Sequence, residues 1–254
     1  MSAELVTVRF EESVCFLELH DDARRNALTP ALIAQCHAAL DQCNERVSVL
    51  VISGTPEVFC SGADLASVRH AAAGGDAEAG DPQPLYELWL RLTRAPFVVV
   101  AHVRGSVNAG GIGFVAASDI VIAASTAQFS LSELLFGLFP ACVLPFLIRR
   151  IGRQRAHYLT LMTQAFSAEQ ARELGLVDAH ASDSNDLLRR HLLRLRRLSG
   201  AAVGRYKDYV SRLDDSLIRA QPLALSANRA LFRDPAVHRA IGRYLDAGQF
   251  PWEP

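Results

Sequence analysis

Two apolar runs constrain this chain more than any other feature. Val49-Leu50-Val51-Ile52-Ser53, closed by Gly54, and residues 97–103, flanked by Pro96 and Gly105, show no alternation of apolar and polar positions. A strand with one wet face must alternate, because successive side chains point to opposite sides. Runs without alternation read as strands buried on both faces, as in a parallel sheet covered by helices. The intervening segments supply such helices. Thr29 before Pro30 is an N-cap followed by proline at the first helical position, and Leu32, Ile33, Cys36, Ala39 and Leu40 recur at helical spacing. The first helix is therefore expected to run to about residue 45.

The remaining pattern is consistent with β/α units followed by helices. Residues 6–10 and 14–19 are β-branched and aromatic runs separated by Glu11-Glu12-Ser13, which predicts a hairpin. Residues 71–84, rich in Ala, Gly, Asp and Pro, read as a mobile insertion, and 86–94 as a short helix. After Gly105 come a glycine-rich turn, a small-residue helix over 109–117, a strand over 120–124 and a short strand around Gln128-Phe129. Beyond residue 140 strand signals become scarce, and helices are predicted near 142–150, 153–163, 167–174, 185–198, 200–217 and 235–247. The fold class is α/β, divided into a core over 1–198 and a helical region over 199–254.

Composition narrows the function classes. Lys plus Arg number 26 against 27 Asp plus Glu, so no global field recruits nucleic acid or an anionic membrane. The five cysteines (Cys15, Cys36, Cys43, Cys60, Cys142) form no C-x-x-C pair, and none of the eight histidines makes a metal-type pair with another His or Cys. No metal or cofactor is implied. The amino-terminal residues carry early acids, and no stretch approaches the roughly 20 apolar residues of a membrane span. A soluble cytoplasmic protein with reduced thiols is expected.

Chemistry concentrates in two glycine-bearing segments, Phe59-Cys60-Ser61-Gly62-Ala63-Asp64-Leu65 and residues 105–113. Each follows a strand and opens a helix, where unpaired N–H groups and the positive end of the helix dipole suit an anionic oxygen. Two such amides converging from separate loops would make an oxyanion hole, although tight helix-on-strand packing also uses glycine in this way. Gly111-Ile112-Gly113-Phe114-Val115-Ala116 fits G-x-G-x-x-A with Glu133 twenty positions beyond Gly113. The strand ending near Val103 leaves too long a loop for the tight dinucleotide-binding turn.

Taken in order, Arg25-Asn26-Ala27-Leu28, residues 59–65, 105–111, Ser118-Asp119-Ile120, 129–137 and 168–177 resemble the enoyl-CoA hydratase/isomerase (crotonase) family over nearly the whole chain. The resemblance implies a crotonase-like spiral of ββα units, a C-terminal helical region used for trimerisation, giving a homotrimer or hexamer, and substrates carried as thioesters of phosphopantetheine. It places the oxyanion amides on Ala63 and Gly110, and the two hydratase glutamates on Gly113 and Glu133. Only one carboxylate survives. Ordinary water addition uses one carboxylate to orient water and another to exchange the α-proton, so ordinary hydratase activity is in doubt. Residues 134–152 resemble the dehydratases of polyketide β-branching cassettes. Those enzymes convert 3-hydroxy-3-methylglutaryl on acyl carrier protein (ACP) to the 3-methylglutaconyl thioester, so the implied activity is a lyase with an ACP or CoA thioester as partner.

On this reading Glu133 moves the proton, and its setting between Ser130-Leu131-Ser132 and an apolar stretch favours a raised pKa, although the helix-start position alone accounts for a carboxylate. Asp64 reads as a helix cap beside the site. Cys142 reads as a small apolar lining residue. Tyr86 and Trp89 either wall the acyl pocket or belong to the core. Arg24 and Arg25 are candidates for the pantetheine phosphate, and the arginine-rich stretch 189–207 for docking a carrier protein. His70 and His238 are candidates for reaching a carboxylated acyl tail. An isomerase or hydratase of CoA thioesters, a decarboxylase and a noncatalytic thioester-binding module remain as alternatives.

Overall fold

The computed structural model describes residues 3–43, 46–72 and 81–253. Its first elements are the predicted hairpin, β1 (Val6–Glu11) and β2 (Val14–Leu19), paired antiparallel across Glu12 and Ser13. Helix α1 (Pro30–Gln42) begins where Thr29 accepts a hydrogen bond from the Leu32 N–H at 3.2 Å. Leu32, Ile33, Cys36, Ala39 and Leu40 form its buried face.

Three successive units then each contribute one strand to each of two sheets. The pairs are β3 (Val49–Ser53) with β4 (Val58–Cys60), β5 (Val98–Val103) with β6 (Ser106–Asn108), and β7 (Ile120–Ala124) with β8 (Gln128–Ser130). The larger sheet has the order β1-β2-β3-β5-β7-β10, where β10 is Ala179–Ala181, and is parallel from β2 onward. The smaller has the order β4-β6-β8-β9, where β9 is Phe166–Ser167. Its first three strands run parallel and β9 returns antiparallel. Every residue of β5 is buried, as are Val49 to Ile52 of β3, so the unbroken apolar runs are core strands.

Helices α2 (Leu65–Ala72), α3 (Gln83–Arg94) and α4 (Gly111–Ala117) fill the crossovers. Then come α5 (Leu144–Ile151), α6 (Arg153–Met162), α7 (Ala168–Glu173) and α8 (Ser184–Leu195). The tail departs from expectation. In place of one helix over 200–217 there are two, α9 (Gly200–Leu213) and α10 (Ser216–Leu231), before α11 (Pro235–Ala247). Asp214 and Asp215 break the first, and α10 continues through Pro222, which lacks an N–H to return to the preceding turn. Leu217, Ala224 and Leu225 of α10 pack into the main core. Helix α9 is held by Lys207, whose buried ammonium donates to the carbonyls of Leu92 and Phe97 and to Asp119 Oδ2 at 2.7 Å. Lys207 is thus a buried anchor and no part of a basic docking surface. Arg189, Arg190 and Arg196 of that stretch are paired with Asp186 and Glu12.

Candidate active site

Because β4, β6 and β8 are parallel neighbours, the loops that follow them leave the same edge of the small sheet. Those loops carry Ala63, Gly110 and Glu133. Convergence of the two glycine-bearing segments is thus a consequence of register. The carboxyl ends of parallel strands are where open α/β sheets place their ligands.

The first two loops touch. Gly62 has φ +89, and a Cβ there would lie 2.7 Å from the Ala109 Cβ and 3.3 Å from the Gly110 nitrogen, so conformation and space both demand glycine. The Gly62 carbonyl is taken by the Leu28 N–H at 2.8 Å, in an isolated bridge that sets Leu28 beside Ala63. Among the described residues the Ala63 and Gly110 N–H groups have no main-chain acceptor. Ala109, with φ +51, turns the chain from β6 into α4. Two unspent donors therefore border one cleft of about 1910 Å³.

Glu133 borders the same cleft. It opens a 3₁₀ turn over Glu133–Phe136 that closes on Gly137, in the left-handed region. Its Oε2 is shut off from water and has no hydrogen-bond partner among the described residues. Burial pushes the carboxyl up to about 7, only partly offset by its own main-chain N–H. The residue before it is tied to the second loop. The Asn108 amide donates to the Ser132 hydroxyl at 3.0 Å, and the Ser130 and Ser132 hydroxyls donate to Asn108 Oδ1 at 2.8 and 3.1 Å.

Several sequence candidates meet here. Arg24, Arg25, Asp64, Cys142 and His238 all border the cleft with Ala63, Gly110 and Glu133. Asp64 caps α2, accepting from the Ala66 and Ser67 N–H groups, and lies 3.9 Å from Arg24 Nε. Arg25 has no carboxylate partner among the described residues. Burial pushes the Cys142 thiol up to about 12, so at neutral pH it is a protonated lining group, its Sγ 3.8 Å from the Ala224 carbonyl oxygen. Tyr86 does not wall the cleft. It is fully buried, donates its hydroxyl to the Leu217 carbonyl at 2.7 Å, and meets Phe146 edge-on in the core. Residues 73–80 of the insertion and the His70 side chain lie outside the described residues.

Trp89, a candidate for the pocket wall, does border the cleft, and two contacts were not legible beforehand. Asn26, in the left-handed region, donates to the carbonyls of both Val58 and Phe59 at 3.1 Å, binding the arginine loop to β4. Trp89 occupies the place of a side chain at Gly113: a Cβ there would lie 2.2 to 2.5 Å from the indole ring. At Gly113, where the resemblance expects a second carboxylate, the volume is thus already filled.

A model of the family described as enoyl-CoA hydratase/isomerase matches residues 9–254. The chain belongs to the enoyl-CoA hydratase/isomerase, or crotonase, family, and it is an enzyme of hydro-lyase type. Bacillaene synthase dehydratase PksH of Bacillus subtilis is 51% identical over 251 residues, covering 98% of this chain and 97% of that protein. The crystal structure of a polyketide biosynthesis enoyl-CoA hydratase (pksH) from Bacillus subtilis superposes with a TM-score of 0.95 at 50% identity, covering 98% of this chain and all of the other. The 2,3-dehydroadipyl-CoA hydratase of Escherichia coli is 31% identical across 91% of this chain and 82% of its own length. The spiral α/β fold expected from the sequence is thereby shown. No helix among the described residues is long and apolar enough to cross a membrane.

Proposed function

We propose that the protein dehydrates a 3-hydroxyacyl thioester, with 3-hydroxy-3-methylglutaryl-ACP as substrate and 3-methylglutaconyl-ACP as product, in polyketide β-branching. The observation that carries this reading is the pairing of two unspent main-chain donors with one enclosed, unpartnered carboxyl oxygen on a single cleft. The likeness to a polyketide dehydratase supports the choice of reaction.

In this scheme the thioester oxygen accepts from the Ala63 and Gly110 N–H groups, which stabilise the charge that grows there as the α-proton leaves. A donor of this kind contributes about 3 to 4 kcal/mol to the transition state. Glu133 takes the α-proton, the bond from the β-carbon to its hydroxyl breaks, and the same carboxyl returns the proton to the leaving oxygen as water. One carboxyl suffices because both transfers lie on one face of the substrate. No cofactor enters the scheme. The acyl chain arrives on phosphopantetheine, with unpaired Arg25 and half-exposed Arg24 at the rim as the ligands for its phosphate. Assembly into a trimer or hexamer belongs to the same reading, with exposed Tyr209, Leu213 and Leu223 of α9 and α10 as the apolar face. The site of action is the cytoplasm.

The test is mass spectrometry of 3-hydroxy-3-methylglutaryl-carrier protein incubated with the enzyme, with loss of about 18 mass units as the expected result. Ala63→Pro removes one amide donor and should abolish that loss in a folded protein. Intact substrate with folded wild-type enzyme would reject the assignment.

A further inference from the structure

Trp89, like Glu133, lines the cleft and carries an unspent polar group. Its Nε1–H is buried and has no hydrogen-bond partner among the described residues, although Trp89 lines the cleft. Buried donors are nearly always satisfied, so an orphan at a cleft wall marks a place where something else completes the bond. The ring is held rigidly, edge-on to Phe114 at 6.2 Å and to Phe146 at 5.5 Å. It also fills the volume that a side chain at Gly113 would need. Two cleft-lining residues therefore each carry a buried polar atom with no hydrogen-bond partner among the described residues, the donor Trp89 Nε1–H and the acceptor Glu133 Oε2. A hydroxyl satisfies both, since it accepts through oxygen and donates through hydrogen.

Resting on the dehydratase reading above, we infer that Trp89 is a catalytic residue whose indole N–H holds the β-hydroxyl of the substrate. The indole stands where the family's second glutamate falls, and replaces an acid–base group by a pure donor. It orients the departing oxygen and stabilises the negative charge that builds on it as the carbon–oxygen bond breaks. It supplies no proton, because an indole N–H does not ionise in this range. All proton traffic passes through Glu133: the α-proton moves to the carboxylate, and the carboxylic acid then delivers it to the oxygen, leaving water and a carbon–carbon double bond.

The test compares two unreactive ligands, pantetheine amides bearing a 3-hydroxy-3-methylglutaryl or a 3-methylglutaryl group, by titration calorimetry on the full chain. Wild-type enzyme should favour the hydroxylated amide. Replacing Trp89 by benzothienylalanine, which keeps the ring shape and lacks the N–H, should reduce that preference about threefold to tenfold, the equilibrium value of one hydrogen bond, and leave the other amide unaffected. A second readout is the ¹⁵N-indole resonance of Trp89 in a Trp252→Phe background, which should shift with the hydroxylated amide only. An unchanged preference in the variant, a resonance insensitive to the hydroxyl, or no hydroxyl preference in wild type, including failure to bind either amide, overturns the role of Trp89. Since neither arm needs turnover, a failed dehydration assay with a surviving hydroxyl preference would indict the reaction and not the hydrogen bond.

Discussion

Asn108 and Ser132 hold each other by two hydrogen bonds: the Asn108 amide donates to the Ser132 hydroxyl at 3.0 Å, and that hydroxyl lies 3.1 Å from Asn108 Oδ1. One partner stands two residues before Gly110 and the other immediately before Glu133. The contact therefore couples the loop that carries the Gly110 amide to the loop that carries the Glu133 carboxyl.

Asn108→Ala should leave the fold intact at a cost of about 1 kcal/mol per lost bond, while misplacing the carboxyl by a fraction of an ångström to an ångström. Displacements of that size reduce turnover by up to about a hundredfold. Asn108→Asp keeps the acceptor for both serine hydroxyls and loses only the donor, so it should fall between wild type and Asn108→Ala. Steady-state kinetics with thermal melts checks both, and equal activity in all three proteins would remove the clamp from the mechanism.

The raised Glu133 carboxyl sets the pH profile. In the proposed reaction it is the base and must be ionised, so kcat/KM should fall about tenfold per pH unit below about 7 and level off above. The stability sign is opposite. A carboxyl whose folded pKa lies above its unfolded value favours the fold at low pH, and that contribution is lost as pH rises from about 4.5 through about 7. Glu133→Gln carries no such loss. Relative to wild type it should gain about 1 to 3 kcal/mol between pH 4 and pH 8 while losing turnover, and a pH-independent stability difference would contradict the desolvation account.

Restoring a carboxylate at Gly113 should fail alone. Gly113→Glu drives its Cβ into the Trp89 ring, and such overpacking costs about 1 to 3 kcal/mol or more. Pairing it with Trp89→Ala opens the volume, so the double variant should be more stable than the sum of the two single changes. A double-mutant cycle on melting free energies measures the coupling, and strict additivity would deny the contact.

Lys207 and Asp119 give a control outside the lining of the cleft. Burial lowers the Lys207 pKa, and Asp119, which also accepts the Val99 N–H at 2.7 Å, opposes that shift. Asp119→Ala strands an ammonium and a strand N–H together and should cost about 3 to 5 kcal/mol. Lys207→Met, which fills the space without a charge, should cost less. Equal losses in denaturant titrations would show that the pair is not what holds α9.

Much of this was readable from residue patterns because it depends on burial and local capping. The unbroken apolar runs became β3 and β5, and Thr29-Pro30 began α1 at the expected residue. The two glycine-bearing segments stood out because each follows a strand and opens a helix, and Gly62 does take a φ that other residues resist. Other features depend on approaches between distant elements. Trp89 and Gly113 are on different helices, and neither residue alone reveals that one excludes a side chain at the other. Tyr86 was ambiguous for the same reason, since its partner is a carbonyl at residue 217. Helix α10 was missed because what carries it through Pro222 is burial of Leu217, Ala224 and Leu225 against the main core, which local pattern does not show.

The parallel run of β4, β6 and β8 has one more effect. Neighbouring strands sit about 4.8 Å apart, so the sheet acts as a ruler for the loops at its edge. The loops that carry Ala63, Gly110 and Glu133 leave from successive marks on that ruler. Substitutions in the loops can change which acyl group fits or how acidic the carboxyl is, yet the step between marks belongs to the backbone. The chemistry can be retuned residue by residue while its scale stays fixed.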